Sequence, residues 1–307
     1  MRVVFMGTPD FALPSLRILF ENKYDIASVV TVPDKPAGRG LRESPSSVKK
    51  YAIEHRLPVL QPQSLCDTAF IAELEKLKAD VFVVVAFRIL PPEVYRLPKL
   101  GSFNLHASLL PKYRGAAPIN WAIIRGEKET GVTTFFLREQ VDTGDIILQS
   151  RVPIGSDETA GELHDTLATA GAELVLHSIR LIETGNVTPH RQDHTLSSPA
   201  PKIYKNDCLI PWSKSSSEIH NFVRGLSPKP TAFTHHGATL LKIYRIKISS
   251  AAGHGDSGTI LRADGNLTIG TGDGSVKILE IQQEGKKRMT AEEFLRGYKL
   301  QKGERLS

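Results

Sequence analysis

Two rhythms of apolar positions alternate along the first two thirds of the chain. Short strand-like apolar runs at 3–6, at 26–32 and, without interruption, at 81–85 are separated by stretches where apolar residues recur every three or four positions. Leu13, Leu16, Ile18 and Leu19 make one such stripe, and Phe70, Ile71, Leu74 and Leu77 another. The runs predict strands covered on both faces, and the stripes predict amphipathic helices. The second stripe belongs to a helix over 67–78, and a further helix is expected over 46–56, with short strands at 58–60 and 102–105. This βαβα order implies a doubly wound, mostly parallel sheet in an α/β domain. Ligands on such sheets bind beyond the carboxyl ends of the strands, which is where residues 7–10 and 106–111 fall. Strands over 131–136 and 145–152, and a helix over 158–183 closed by Gly185, complete this part.

The pattern then changes. Residues 186–206 are rich in Pro, Ser, Thr, His and Asn and read as a linker. A helix is expected over 215–225. Short alternating segments follow at 239–248, 258–263, 266–271 and 275–282, parted by the turns Ala263-Asp264-Gly265-Asn266 and Thr271-Gly272-Asp273-Gly274. They predict a small all-β, OB-like barrel, an architecture that often binds oligonucleotides. The expected division is a catalytic domain at 1–185, a linker at 186–206 and a basic barrel domain at 207–307.

Composition narrows the classes. The 307 residues suit two domains, and 40% hydrophobic with 23% charged residues is ordinary for a globular protein. Cys66 and Cys208 lie too far apart to suggest a disulfide framework or a zinc site, so a cytoplasmic setting is expected. No apolar run approaches the roughly 18 residues that a membrane helix needs. The chain opens directly into strand-like residues, so no signal peptide is expected. Charge is unevenly placed. Residues 201–307 hold 17 Lys and Arg against 10 Asp and Glu, while residues 1–200 hold 22 against 23. The basic excess lies wholly in the C-terminal third, which points to a polyanionic partner, nucleic acid before membrane.

Candidate chemistry centres on Asn104, His106 and Ser108. Residues two apart on a strand face the same way, so these three are expected to line one surface at a strand end. Asp142 and Asp145 sit on the turn Val141-Asp142-Thr143-Gly144-Asp145, and turn chemistry does not rank one above the other. Gly7-Thr8-Pro9 could cradle an anion, but it lacks the G-x-G-x-x-G spacing of a dinucleotide site, and no phosphate-loop signature occurs. Ser108 lacks the elbow motif of a hydrolase nucleophile. No H-E-x-x-H occurs among the histidines, and no metal is expected. The basic, glycine-bearing insertion at 34–42 reads either as a plain surface loop or as one that grips a large anionic substrate. Lys205 and the Lys286-Lys287-Arg288 cluster are candidate phosphate contacts.

Asn104-Leu105-His106, then Ser108-Leu109-Leu110-Pro111 and Arg114-Gly115, resembles the signature of the folate-dependent formyltransferases. Arg114-Gly115-Ala116-Ala117-Pro118-Ile119 together with Val141-Asp142-Thr143-Gly144-Asp145 resembles the branches acting on sugar nucleotides and on methionyl-tRNA. Gly7-Thr8-Pro9-Asp10-Phe11, the 33–40 insertion and the basic C-terminal domain are similar to the methionyl-tRNA branch. One departure is visible: Ala86-Phe87-Arg88-Ile89-Leu90-Pro91 is one residue shorter than that branch's A-Y-G-x-I-L-P segment, which helps form the pterin pocket. The resemblance implies formyl transfer from 10-formyltetrahydrofolate to the α-amino group of initiator methionyl-tRNA, by a monomer without a metal. It selects Asp142 over Asp145 and gives Asn104, His106 and Asp142 the catalytic roles. It places Ser108, Leu109, Leu110 and Pro111 against the folate. It sets Arg39, Arg42, Lys205, Lys286, Lys287 and Arg288 against the tRNA.

Overall fold

The structure is a computed structural model that describes residues 1–37, 42–249 and 256–307, with the side chains of 35–37 and 42–44 outside the description. In chain order the elements are β1 (Arg2–Gly7), α1 (Leu13–Glu21), β2 (Asp25–Val30), β3 (Lys35–Ala37), β4 (Arg42–Ser44), α2 (Ser47–Glu54), β5 (Val59–Leu60), α3 (Thr68–Lys76), β6 (Val81–Val85), α4 (Pro92–Tyr95), β7 (Ser102–His106), α5 (Pro118–Ile124), β8 (Glu129–Phe136), β9 (Ile146–Pro153) and α6 (Ala160–Glu183). They are followed by α7 (Ser216–Leu226), β10 (Ala232–His236), β11 (Thr239–Ile248), β12 (Ile260–Ala263), β13 (Leu267–Gly270), β14 (Ser275–Gln283), β15 (Met289–Thr290) and α8 (Ala291–Gly297).

The chain divides into two compact units. The first comprises Met1–Gly115, Thr130–Val152 and His164–Pro199, and the second comprises Ala116–Glu129, Pro153–Leu163 and Ala200–Ser307. The sequence pattern places Ala116–Glu129 and Pro153–Leu163 in the first domain, but in the structure they pack with the C-terminal residues. The first part of the expected linker, up to Pro199, packs with the first unit.

In the first unit a seven-stranded sheet runs β5-β2-β1-β6-β7-β8-β9. β1 pairs in parallel with β2 and β6, and β6 with β7, while β7 meets β8 antiparallel. Strand order reverses between β1 and β6, so the crevice beyond their carboxyl ends is the expected ligand position. β6 is buried along its whole length, as a strand covered on both faces must be. Gly7 closes β1 where a Cβ would lie 2.7 Å from Ala12 Cβ and 3.0 Å from the Val85 carbonyl, so only glycine permits this approach. Beyond β2, Thr31 Oγ1 meets Thr8 Oγ1 at 3.3 Å and Ser46 Oγ at 3.1 Å, and Ser46 caps α2. Gln61 donates to Asp34 Oδ1 at 3.0 Å and Lys49 pairs with its other oxygen, which fixes the foot of the β3–β4 hairpin.

The second unit holds the antiparallel path β10-β11-β14-β13-β12, with β15 beside β14. Leu241, Ile243, Leu267, Ile269, Ile278 and Ile281 are fully buried within it. α7, in the place of the helix expected at 215–225, and α8 contribute Ile219, Val223 and Phe294 to the same core. Among the described residues no helix is long and apolar enough to cross a membrane.

Candidate active site

Asn104 and His106 end β7, with Asn104 opposite Val84 of β6 and Phe135 of β8. Asn104 is half-buried, and its side chain makes no hydrogen bond among the described residues. His106 is 6% exposed. Its Nε2 lies 2.8 Å from the Tyr113 carbonyl oxygen. A carbonyl can only accept, so Nε2 carries the proton and Nδ1 is the ring atom left for chemistry. Nδ1 faces Asp142 Oδ2 at 3.7 Å, too long for a hydrogen bond but close enough to balance charge on the ring.

Asp142 reaches this position from the β8–β9 turn. Its φ is +56°, a left-handed conformation that Asp tolerates better than most residues. Oδ2 accepts the Gly115 N–H at 2.9 Å. Gly144 lets the turn fold back, because a Cβ there would lie 1.6 Å from the Phe136 carbonyl oxygen. Asp145 points elsewhere: its carboxylate pairs with Arg138 at 2.6 Å. Geometry therefore separates the two aspartates that turn chemistry left equal.

Ser108 does not share the strand face. β7 ends at His106, and the fully buried Ser108 turns its hydroxyl to the Lys112 carbonyl at 2.6 Å. The expected three-residue polar surface is thus two residues, because the chain leaves the pleat before Ser108. The turn that follows is held from within. Thr133 Oγ1 donates to Ser108 O at 2.6 Å and accepts from Leu110 N at 3.1 Å, Leu109 O accepts from Lys112 N at 3.1 Å, and Gln149 donates to Leu110 O at 2.9 Å. A cis peptide joins Leu110 to Pro111. These backbone groups serve the turn's own shape.

Two residues of the site escaped the sequence reading as site residues, Arg114 and Gln192. Arg114 donates to Gln192 Oε1 from Nε at 3.2 Å and from Nη2 at 2.5 Å, and Gln192 donates to the carbonyls of Asp142 at 2.9 Å and Gly144 at 2.8 Å. Burial pulls the Arg114 guanidinium below its ordinary value, and the Asp142 carboxylate offsets part of that. Arg114 carried a motif signal. Gln192 had none, since a single Gln in a polar stretch has no local signature.

The shortened loop after β6 begins with Ala86 at φ +48°. Arg88 donates to the carbonyls of Gln63 at 2.9 Å and Pro62 at 2.8 Å, while Ile89 is 74% exposed. Among the described residues no group of three or more His, Cys, Asp or Glu could hold a metal ion.

The predicted phosphate contacts fare differently. Arg39 lies outside the described residues, and for Arg42 only the backbone, paired with Ala37 across the hairpin, is described. Lys205, Lys286 and Lys287 are exposed in the second unit. Arg288 is bound to Glu280 and lies over the Tyr244 ring at 4.3 Å, so its charge is already answered.

The chain matches the formyl transferase family over residues 1–179 and the formyl transferase C-terminal domain over 202–299. It is similar to a methionyl-tRNA formyltransferase of Porphyromonas gingivalis, with 47% identity over 98% of this chain and 96% of that protein. One of Clostridioides difficile is 47% identical over 99% of each. Among solved structures, an N-formyltransferase from Helicobacter canadensis in complex with folinic acid and dTDP-3-aminofucose shares the fold. Its TM-score is 0.69 and its identity 24%, over 90% of this chain and 98% of that one.

Proposed function

The chain belongs to the formyltransferase family, and we propose that it transfers a formyl group from 10-formyltetrahydrofolate to the α-amino group of initiator methionyl-tRNA, acting as a monomer in the cytoplasm. The observation that carries this reading is the approach of Asp142 to His106, two residues along β7 from Asn104, in a chain about 47% identical to methionyl-tRNA formyltransferases over nearly its full length.

The residues present suit a formyl donor. An unpartnered Asn104 amide and the exposed Ile89 stand at the carboxyl ends of neighbouring strands β7 and β6. When bound, 10-formyltetrahydrofolate supplies the formyl carbon already attached to a nitrogen that can depart. Asn104 then donates to the formyl oxygen as negative charge gathers there, the largest single contribution in many acyl transfers. Nε2 of His106 is occupied by Tyr113, so His106 acts through Nδ1, which can donate to the same oxygen once it has taken up a proton. Asp142 and Nδ1 of His106 take the proton that the amine gives up, since at a pKa of about 8 it arrives largely protonated at neutral pH, and pass it to the folate nitrogen as that nitrogen departs. Ser108, Leu109, Leu110 and Pro111 form a rigid wall for the folate rather than a set of free hydrogen-bonding groups. Arg39 and Arg42 of the insertion, with Lys205, Lys286 and Lys287, meet tRNA phosphates. The domain division at 1–185 and 207–307 is retained as the functional division, with the strap up to Pro199 serving the first domain.

A sugar-nucleotide acceptor is the competing reading. It needs neither the 34–42 insertion nor a basic C-terminal third. The site itself is tested by Asn104→Ala, for which kcat in methionyl-tRNA formylation falls at least about 100-fold. An Asn104→Ala enzyme as fast as the wild type contradicts the assignment.

A further inference from the structure

We propose that Gln192 is a positioning residue for the transfer, holding the Asp142 turn in its working conformation. The inference rests on the reading of Asn104, His106 and Asp142 as the reacting groups. Gln192 is 5% exposed and spends both its amide donors on this turn. Its nitrogen donates to the carbonyls of Asp142 and Gly144, which flank the turn, and its oxygen accepts from Arg114. The orientation of the amide is forced, because guanidinium only donates and carbonyls only accept.

The conformation it holds needs holding. Asp142 sits at φ +56°, a conformation that still costs a residue with a Cβ even where Asp tolerates it, so the restraints on this turn count. Two bonds from one side chain hold that residue's carbonyl and the carbonyl two residues on. A third restraint comes from Gly115, whose N–H reaches the Asp142 carboxylate. The Arg114-Gly115 dipeptide thus grips Asp142 twice, directly at the carboxylate through Gly115 and at the backbone through Gln192.

Gln192 is itself anchored on both sides. His190 exchanges two backbone hydrogen bonds of 2.8 Å with Ile146, and Ser198 accepts from Tyr113 N at 3.0 Å and from Arg114 N at 2.9 Å. Tyr113 is the residue whose carbonyl orients His106. The stretch 190–199 is therefore a strap over both catalytic loops, with Gln192 as its contact to the Asp142 turn. Gln192 makes no hydrogen bond to Asn104, to His106 or to the Asp142 carboxylate among the described residues, so its effect is indirect.

Gln192→Met keeps length and bulk but loses every hydrogen bond, and Gln192→Glu keeps the acceptor for Arg114 but loses both donors. Both are measured for formylation of methionyl-tRNA, with Asp142→Asn and the Asp142→Asn/Gln192→Met pair alongside. The expected result is a kcat lowered roughly 10- to 100-fold in either single Gln192 variant, with KM for both substrates within about threefold of wild type. The double variant is no slower than Asp142→Asn alone, because Gln192 works through Asp142. Wild-type kcat in Gln192→Glu, a change confined to KM, or losses that multiply in the double variant would each overturn the inference. A wild-type kcat in Asp142→Asn overturns the underlying site reading as well, so the two failures are told apart.

Discussion

Gly115 donates its backbone N–H to Oδ2 of Asp142 at 2.9 Å. That same oxygen faces Nδ1 of His106 at 3.7 Å. The carboxylate is thus held by a backbone donor that does not titrate, and its charge is presented to a ring nitrogen with no other protein partner among the described residues. Position and charge are separable here, and a substitution can remove one without the other.

Asp142→Asn does so. The amide oxygen still accepts from Gly115, so the turn keeps its shape, but the negative charge and the proton acceptor are gone. kcat falls by about two orders of magnitude or more, in line with losing general-base assistance, while melting temperature stays close to wild type. Steady-state formylation and a thermal melt on one preparation check both halves. An Asp142→Asn enzyme that melts normally and retains wild-type kcat contradicts the role.

The second unit offers a stability prediction with a sign. Glu162 and Thr159 form a capping box at the start of α6, and Glu162 also binds Arg245 at 2.5 Å. The Thr159 N–H first, and then the Thr159 hydroxyl and Arg245, hold the Glu162 carboxyl down to about 2 from its ordinary 4.5. A carboxylate depressed in the folded state stabilises it above the unfolded pKa, and that contribution is lost as pH falls through the folded value. Glu162→Gln should therefore cost about 1 kcal/mol near neutrality, at the low end for a cap because the side chain is half-exposed. The gap should close between about pH 4.5 and 2. Urea melts across that range check it, and a gap that widens toward acid contradicts it.

The basic residues differ in what they leave available. Lys286, Lys287 and Arg288 are all exposed, but Arg288 is paired with Glu280 and lies over the Tyr244 ring. Phosphate contacts release counterions, so tRNA affinity should fall steeply with salt. Lys286→Ala and Lys287→Ala should each lower the slope of log affinity against log salt by about 0.7 to 0.9, and Arg288→Ala by clearly less. Filter binding over a salt series reads this directly. An affinity that is flat in salt contradicts the basic third as a docking surface.

Much of this was legible in the sequence, for local reasons. The run at 81–85 is apolar because β6 is covered on both faces, and the stripe through Phe70 and Leu74 is the buried side of α3. Asn104 and His106 stand two apart on a strand, and spacing alone puts both side chains on one side. Ser108 follows the same spacing and breaks the rule, because what ends β7 is a bond from Ser108 to Lys112 that no periodicity encodes. α8 carries a local signal as well: Thr290 followed three residues on by Glu293 is a capping box, and both halves form. Gln192 was beyond reach. Its partners are Arg114 and two carbonyls about 50 and 80 positions away, and only the folded chain brings them together.

The most direct measurement offers the enzyme two acceptors in one reaction, with 10-formyltetrahydrofolate as donor: methionyl initiator tRNA and a UDP-amino-sugar. The account predicts formylmethionine on the tRNA and an unmodified sugar. Formyl groups appearing on the sugar, or an uncharged loss of donor with no formylmethionine formed, would contradict it.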